Sequence, residues 1–371
     1  MRLDGCKLVQ QQGQPDDKST TLCGASAPGP ESPLKRKAWI ELYPDNGLVT
    51  DWYIHSIGDI LVDLGFDVEY CDDCTRIGDL RHDLYFVSIC KSAAILIAKG
   101  CKHLIYWAQG IAPEEDYLRF GSKPRRFAFA ICEQFALRRA QRIFMVSDAM
   151  RRHFEGKYRL DLVPKTFVAP CCNEVLHPLS FQVPGKYDHP VFTYAGGLSK
   201  YQCIDGMLDL FAKIQSDMPE SELLFYTWDV ECAREAVRSH GIENVTVESK
   251  GQDELSAALA RAKYGFVIRD DTEINRVSTP TKISTYMSNG VIPVVTSCVE
   301  GFADASRDLE HVVCCPHEGI AEAICRMESR VIDHKEILNE YRGFFNSYFD
   351  LKKKRSAMRE FLTPMVRDMG C

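Results

Sequence analysis

The sequence lacks the features that would direct the protein into a membrane, to a secretory route or onto nucleic acid. It contains no run of the roughly 18 to 20 uninterrupted apolar residues that a membrane-spanning helix needs. Its first charged residues are not followed by the apolar stretch of a secretory signal, which predicts a cytoplasmic protein. Basic charge is not in excess either, because the 371 residues carry a formal net charge of −7. A nucleic-acid partner is therefore not expected.

Several motifs of known chemistry are also missing. Neither the GxGxxG fingerprint of dinucleotide-binding domains nor the GxSxG turn of serine hydrolases occurs. Of the 16 cysteines, Cys71 and Cys74 form a CxxC motif, but no second pair or histidine pair lies at zinc spacing. The pairs Asp72–Asp73 and Asp270–Asp271 fall in predicted turns, where we interpret them as solvated side chains. No metal site and no bound cofactor is therefore predicted.

What the sequence does contain is a regular alternation of short apolar runs with amphipathic, helix-like segments. Runs such as LYFVSIC, HLIYWA, VFTYA and LLFYTW predict buried strands, and the segments between them predict helices. This order is typical of right-handed βαβ units and parallel sheets. A chain of 371 residues is also longer than one core usually holds. We therefore predict an α/β protein with two Rossmann-like, doubly wound domains.

Composition and pattern also predict the domain boundaries. Residues 1–37 are rich in Gln, Gly, Pro, Ser and Asp, which predicts a disordered tail. A polar, proline-bearing stretch predicts a linker over residues 181–190. We assign residues 38–180 to the first domain, 191–340 to the second, and 341–371 to a C-terminal helical segment.

Three loops at the predicted carboxyl ends of strands carry groups that bind anions, and open parallel sheets bind their ligands at these ends. Gly196-Gly197 follow one strand and precede a helix, with Lys200 beside them, so backbone N–H groups can approach a phosphate. Arg269 ends another strand, from which its guanidinium can bind a diphosphate. Pro280-Thr281-Lys282 begin the next helix and form a second anion-facing N-terminus. Together these loops predict a cleft for a phosphorylated ligand.

Long segments around these loops resemble family-four glycosyltransferases, closest to a bacterial-type branch of surface polysaccharide assembly. The donor-binding half of that family is similar to YAGGLSKYQCID and AKYGFVIRDDTEINRVSTPTKISTYMSNGVIPVV. The first half is similar in YWAQGIAPEEDYLRF, FMVSDAMRRHFEGKY and VAPCCNEVLHPLSF, so the resemblance covers roughly residues 38–340. It implies the GT-B fold, two domains facing across a cleft, with the last helix returning to the first domain. It also implies metal-independent, retaining transfer of a sugar from a nucleotide-sugar donor to a glycan or lipid-linked acceptor, the first domain being the acceptor side.

The resemblance also assigns site residues by position. The implied catalytic residues are Arg269, which neutralises the leaving diphosphate, Lys200, which faces it, and Gln109, which projects from the acceptor domain. The implied donor-binding residues are Gly196, Gly197, Pro280, Thr281, Lys282 and the position of Thr285. On the acceptor side the resemblance implies Asn46, Gly47 and Gly110.

One family feature is absent, and it keeps other functions open. The wider family has two glutamates separated by seven residues, and Val277 and Thr285 occupy these positions here. The second glutamate normally holds the nucleotide ribose, so another residue must do so, and Glu273 and Asn275 are near in sequence. The alternatives are a GT-B scaffold or binding protein without turnover, and a nucleotide-sugar epimerase of the same fold.

Two further charge patterns suggest roles. Glu114 and Glu115 are candidates for a base, but adjacent residues point apart, so at most one can serve. Between Arg119 and Arg159 there are 11 basic residues and three acidic ones within an otherwise acidic protein. This patch predicts contact with an anionic membrane surface on the inner face of the membrane, which suits a lipid-linked acceptor. The alternative is a solvated helix face.

Overall fold

A computed structural model of the chain describes residues 36–42, 47–172 and 174–369. These residues form two six-stranded sheets in which every described strand pair is parallel, so the predicted pair of Rossmann-like α/β domains is confirmed. Of the tail predicted over residues 1–37, residues 1–35 lie outside the described residues, and Lys37 already belongs to the first strand.

The first sheet has the order β2-β1-β3-β4-β5-β6. Its elements in chain order are β1 (Lys37–Glu41), α1 (Gly47–Asp63), β2 (Asp67–Cys71), β3 (Leu84–Val87), α2 (Cys90–Ala98), β4 (His103–Ala108), α3 (Ala112–Phe120), α4 (Lys123–Arg139), β5 (Arg142–Met145), α5 (Asp148–Tyr158) and β6 (Thr166–Val168).

The second sheet has the order β12-β11-β10-β7-β8-β9. Its elements are β7 (Val191–Ala195), α6 (Ile204–Asp217), β8 (Glu222–Tyr226), α7 (Val230–Ser239), β9 (Val245–Glu248), α8 (Gln252–Leu259), β10 (Tyr264–Val267), α9 (Glu273–Val277), α10 (Thr281–Ser288), β11 (Ile292–Thr296), α11 (Glu300–Ala305), β12 (Val313–Cys315), α12 (Ile320–Glu328) and α13 (His334–Ser347), and the chain ends with α14 (Leu351–Asp368).

Alternation along the buried strands supplies both faces of the first sheet with apolar side chains. On one face, Phe86 and Phe144 pack with α1 and α14. On the other face, Tyr85 and Ile143 pack with α2, α4 and α5. The second sheet and its helices share one continuous core. None of the described helices is long and apolar enough to cross a membrane.

The chain passes between the domains earlier than the predicted linker. Cys171 packs against the first domain, whereas Cys172 is buried in the second core. Phe181 is also buried in the second core, where its ring lies 6.1 Å from that of Tyr341. Residues 181–190 therefore belong to the packing of the second domain, because an apolar anchor follows the crossing within a few residues.

The C-terminal segment, predicted over residues 341–371, divides between the domains. Helix α13 packs in the second core, and Phe349 lies at the end of that packing. Helix α14 then packs on the first domain, with the Phe361 ring 5.8 Å from that of Phe144. Because the packing changes here from the second domain to the first, the chain returns to the first domain at residues 349–351.

Candidate functional site in the cleft

A cavity of about 370 Å³ lies between the two domains. This volume falls within the range of small-ligand sites, about 300–1,000 Å³. Its lining comes from the loops and helix starts that follow β4, β5 and β6 in the first domain and β7 and β10 in the second. The lining residues are Gln109, Gly110, Glu115, Met150, Cys171, Tyr201, Gln202, Arg269, Ile274, Asn275, Val277, Ser278, Thr279, Pro280, Thr281 and Lys282.

Arg269 lies two residues beyond β10 and faces this cavity while only 5% of its surface is exposed. Its backbone N–H donates to Thr296 Oγ1 at 2.9 Å, which fixes the residue against β11. Its guanidinium donates to the carbonyl oxygen of Ile268 at 3.2 Å. Burial lowers the pKa of Arg269, and no carboxylate of the described chain forms an ion pair with it. The site therefore holds a cation without its own counter-ion.

Lys282 lies in the first turn of α10 and supplies a second cation to the same cavity. Its ammonium donates to Gln202 Oε1 at 2.8 Å and lies 5.2 Å from the ring centre of Tyr194. Burial, helped by the charge of Arg269, lowers the pKa of Lys282 to about 7. Within the described ranges it has no carboxylate partner either. Two desolvated cations with unused charge form a site for an anion, since burying such charges unpaired is otherwise costly.

The glycines of the loop after β7 make room for these groups. Gly196 has φ +148°, and a Cβ added there would lie 2.6 Å from Lys282 Cε. A Cβ on Gly197 would lie 2.6 Å from the indole of Trp228. Lys200, which we expected to face the anion, is exposed and does not line the cavity. Lys282 occupies the position that we expected for Lys200, because the lack of a side chain on Gly196 lets the Lys282 side chain pass close to this loop.

The first domain contributes Gln109 and Gly110 to the cavity, together with one of the two candidate glutamates. Glu115 lines the cavity, and its carboxylate accepts from the backbone N–H of Ile111 at 3.2 Å. Desolvation of its carboxylate against the cavity wall raises the pKa of Glu115, although the residue as a whole is exposed. Glu114 instead accepts from Lys157 Nζ at 2.8 Å, away from the cavity. The structure thus separates the two carboxylates as expected and leaves Glu115 for the site.

The amide of Gln109 is a free donor at this wall. Its Nε2 atom is buried and has no hydrogen-bond partner among the described residues. A buried donor without a partner is rare in folded proteins, and it indicates a position where a ligand oxygen completes the hydrogen bond. On the same side of the cleft, Gly47 begins α1, and Asn46 lies outside the described residues.

The residues considered for the ribose lie in different positions. Asn275 is buried, lines the cavity and donates from Nδ2 to the carbonyl oxygen of Asp270 at 2.9 Å. Glu273 is exposed and Thr285 is half-buried, and neither lines the cavity. The Thr285 hydroxyl donates to the carbonyl oxygen of Thr281 at 3.2 Å, so its hydrogen is used within α10. Val277 is buried in the core of the first domain.

Sequence reasoning missed Gln202, which orients Lys282, and Tyr201, whose ring centre is 5.9 Å from the Arg269 guanidinium. It also missed Trp228, which is 72% exposed just beyond β8, next to Gly197. The position of Trp228 directly after an apolar strand-like run was the available signal, because such a strand ends at the ligand-binding edge of a parallel sheet.

The candidate metal carboxylates are used elsewhere. Asp271 pairs with Arg276 at 2.5 Å, and Asp73 accepts from the backbone N–H of Thr75 at 2.8 Å. The described residues contain no group of three or more His, Cys, Asp or Glu side chains placed to hold a metal ion.

No family model and no curated protein matches the sequence. Solved structures are similar in fold. Sucrose-phosphate synthase of Thermosynechococcus elongatus aligns with a TM-score of 0.64 and 13% identity, covering 90% of this chain and 100% of that one. HepE of Anabaena, solved with UDP and glucose, aligns with a TM-score of 0.61 and 12% identity, covering 89% and 99%. WaaG, a glycosyltransferase involved in lipopolysaccharide biosynthesis, aligns with a TM-score of 0.60 and 13% identity, covering 88% and 99%.

At these identities the likeness concerns the fold. Two parallel six-stranded sheets with flanking helices match the fold of these proteins. The chain therefore has the GT-B fold, in which two Rossmann-like domains face each other across a cleft.

Proposed function

We propose that the protein is a glycosyltransferase that moves a sugar from a nucleotide-sugar donor to a glycan or lipid-linked acceptor. One observation carries the proposal: Arg269 is a buried cation and Lys282 a half-buried one, neither has a carboxylate partner among the described residues, and both line the cleft of a GT-B fold. Cations placed in this way suit a diphosphate, whose charge grows as the bond to the sugar breaks.

The proposed reaction breaks the bond between the anomeric carbon and the donor diphosphate, and a bond to an acceptor oxygen forms. Arg269 and Lys282 stabilise the diphosphate that leaves with the bonding electrons, and the proton of the acceptor hydroxyl passes to an oxygen of this leaving diphosphate. Gln109 and Glu115 lie on the opposite wall, where they bind hydroxyls of the sugar or acceptor. The resemblance of the sequence supports three further parts of this proposal. The enzyme retains the anomeric configuration, needs no metal and acts in the synthesis of surface polysaccharide or glycoconjugate.

We assign the nucleotide end of the donor to the edge occupied by Trp228. The indole packs on Gly197, and Gly196 packs on Lys282, so the exposed ring lies one loop away from the cation. A flat, exposed aromatic ring next to a loop that binds phosphate is suited to stack on the base of the nucleotide. Asn275, buried in the cavity wall, is the residue that we propose for the ribose in place of the family glutamate.

A second cavity supports an acceptor with an apolar part. Its volume is about 200 Å³, and it lies in the first domain between α1, the sheet and α14. Pro170 lines this cavity, whereas the next residue, Cys171, lines the cleft. Ile57, Ile60 and Met358 form part of its apolar wall. The two cavities are thus neighbours, which suits an acceptor that carries an apolar group next to the hydroxyl that is glycosylated.

The test is transfer from a panel of nucleotide sugars by wild type, Arg269→Ala and Arg269→Lys. We expect Arg269→Ala to lose transfer by about 10²–10³-fold, the effect of removing one transition-state donor, and Arg269→Lys to retain part of it. Arg261→Ala is the matched control, because that arginine is exposed on the same domain. Full activity of Arg269→Ala would refute the assignment.

The same assay separates the alternatives. A transferase releases a nucleoside diphosphate faster when the acceptor is added. An epimerase interconverts sugars without releasing diphosphate, and a scaffold does neither. Thr285→Glu addresses the scaffold alternative, because it restores the carboxylate that the resembling family uses for the ribose. Gain of donor affinity in that variant would show that the position still faces the nucleotide.

A further inference from the structure

Helix α4 carries a row of large apolar side chains on its outward face. Phe127 is 69% exposed and Ile131 is 53% exposed, and Phe135 continues the row one turn further. Residues four apart lie on the same side of a helix, so these three side chains form one stripe. The inward side of α4, including Ala136 and Leu137, is buried against the first domain. The stripe is therefore not part of the core.

Cationic side chains lie at both ends of this apolar stripe. Lys123 precedes Phe127 by one turn, and Arg138 and Arg139 follow Phe135. Counted over the described chain, none of these three forms an ion pair. The acidic residue of α4, Glu133, is fully buried and accepts hydrogen bonds from Lys157 and Tyr158. The outward face of α4, defined by Lys123, Phe127, Ile131, Phe135 and Arg138, therefore has no negative charge.

The rest of the predicted basic patch is largely neutralised. Its paired members are Arg125 with Asp116, Arg126 with Glu114, Arg151 with Asp148 and Glu155, Arg152 with Glu300, and Lys157 with Glu114 and Glu133. The basic run 352–355 does not extend the patch, because α14 packs with α1 on the opposite face of the sheet from α4. Arg119, Arg142 and Arg159 form no ion pair among the described residues but lie outside α4, so the outward face of α4 is the part of the patch where unpaired charge and apolar side chains occur together.

We propose that the outward face of α4 docks the protein on an anionic lipid surface. An amphipathic helix at an interface buries its apolar row below the headgroups, and its cations remain at the level of the lipid phosphates. From Lys123 to Arg138 the face is about 22 Å long, so the helix lies along the surface and does not cross it. A second copy fits less well, because pairing two such faces brings cations opposite cations. The proposal does not depend on catalysis.

The experiment is flotation of the full chain with vesicles of phosphatidylcholine alone and of phosphatidylcholine with phosphatidylglycerol. We expect wild type to float with the anionic vesicles, and the bound fraction to fall as salt is added. Phe127→Ser with Ile131→Ser, and separately Arg138→Gln with Arg139→Gln, should each weaken binding at least about tenfold, since both parts of the face contribute.

Two controls test whether the effect is local. Leu179→Ser removes an apolar side chain that is 80% exposed elsewhere, and Lys352→Gln with Lys353→Gln removes charge from the opposite face. Both should float like wild type. Nucleotide-sugar binding, measured by thermal shift, should be equal in all variants, which shows that they fold and separates this proposal from the catalytic one. Equal flotation with neutral and anionic vesicles would overturn it, as would dimers that dissociate only in Phe127→Ser with Ile131→Ser.

Discussion

The hydroxyl of Ser147 donates a hydrogen bond to the carbonyl oxygen of Val277, 2.6 Å away in the other domain. Ser147 also caps α5, because its oxygen accepts from the backbone N–H of Met150 at 3.0 Å. The Val277 side chain is buried in the core of the first domain. One serine therefore caps the N-terminus of α5 and anchors the C-terminal end of α9, the short helix that carries Asn275 in the cavity wall.

Ser147→Ala should lower the free energy of unfolding by about 1–2 kcal/mol, because it removes the cap of α5. It should also weaken donor binding, since the end of α9 at Val277 loses its anchor. Urea unfolding and donor titration measure the two effects. Ser122→Ala is the matched control, because Ser122 precedes α4 without a side-chain cap bond. A change of the same size in both variants would contradict the dual role.

Gly196→Ala should damage the site more than its size suggests. The positive φ is poorly tolerated by alanine, and the new methyl would displace Lys282. We expect a loss of about 1–3 kcal/mol in unfolding free energy and a large loss of donor affinity. Gly156→Ala is the control, because that glycine lies in α5 with open space around it. It should gain about 0.5–1 kcal/mol, the usual advantage of alanine in a helix.

Lys282→Met should change the pH dependence of stability. The pKa of Lys282 is about 7 in the folded protein and about 10.4 in the unfolded chain. Between these values the unfolded state binds more protons, so this group makes the unfolding free energy rise with pH. The variant should lose that slope and be more stable than wild type at neutral pH. Unfolding curves at several pH values check both statements, and an unchanged slope would contradict them.

Donor binding should show the reverse dependence on pH. A diphosphate beside Lys282 favours the ammonium form and raises its pKa, so binding above about pH 7 takes up a proton. Affinity for a nucleotide sugar should therefore fall as pH rises above this value. Calorimetry in buffers of different ionisation enthalpy measures the uptake. Lys282→Met should bind more weakly and take up no proton at this step.

Trp228→Ala should weaken nucleotide binding by about 1–3 kcal/mol, the usual contribution of stacking one base on an aromatic ring. Trp228→Phe should retain much of the affinity. The exposed indole should also report binding by a change in tryptophan fluorescence. Trp39→Phe is the control, because Trp39 lies in the first domain with its Nε1 donating to Asp83 at 2.8 Å. Loss of the signal in Trp39→Phe and not in Trp228→Phe would contradict the assignment.

The fold was accessible from the sequence because its strands are buried on both faces and read as short apolar runs. The cap that Ser147 provides is also a local feature, since a capping side chain acts within three residues of itself. The position of Arg269 at the end of β10 also follows from local pattern, and the structure places it in the cleft.

Lys200 and Lys282 show where local pattern is insufficient. Both follow strand ends and begin helical turns, and only the path of the Gly196 loop decides which one enters the cavity. Asp116 neutralises Arg125 across the turn between two helices, which the distribution of charge along the chain does not show. The crossing at Cys171–Cys172 was missed because its anchor, Phe181, lies inside a polar, proline-bearing stretch.

The chain crosses between the domains at two places, and these crossings are neighbours. Lys354, just after the second crossing, donates to the carbonyl oxygen of Pro170, just before the first, at 3.5 Å. Because the two chain crossings are adjacent, they define a single hinge axis between the domains. Rotation about this axis would move the domains apart, and the part of the cleft farthest from Pro170 would widen most. Entry of a substrate would then require only rotation between the domains, with no change within either sheet.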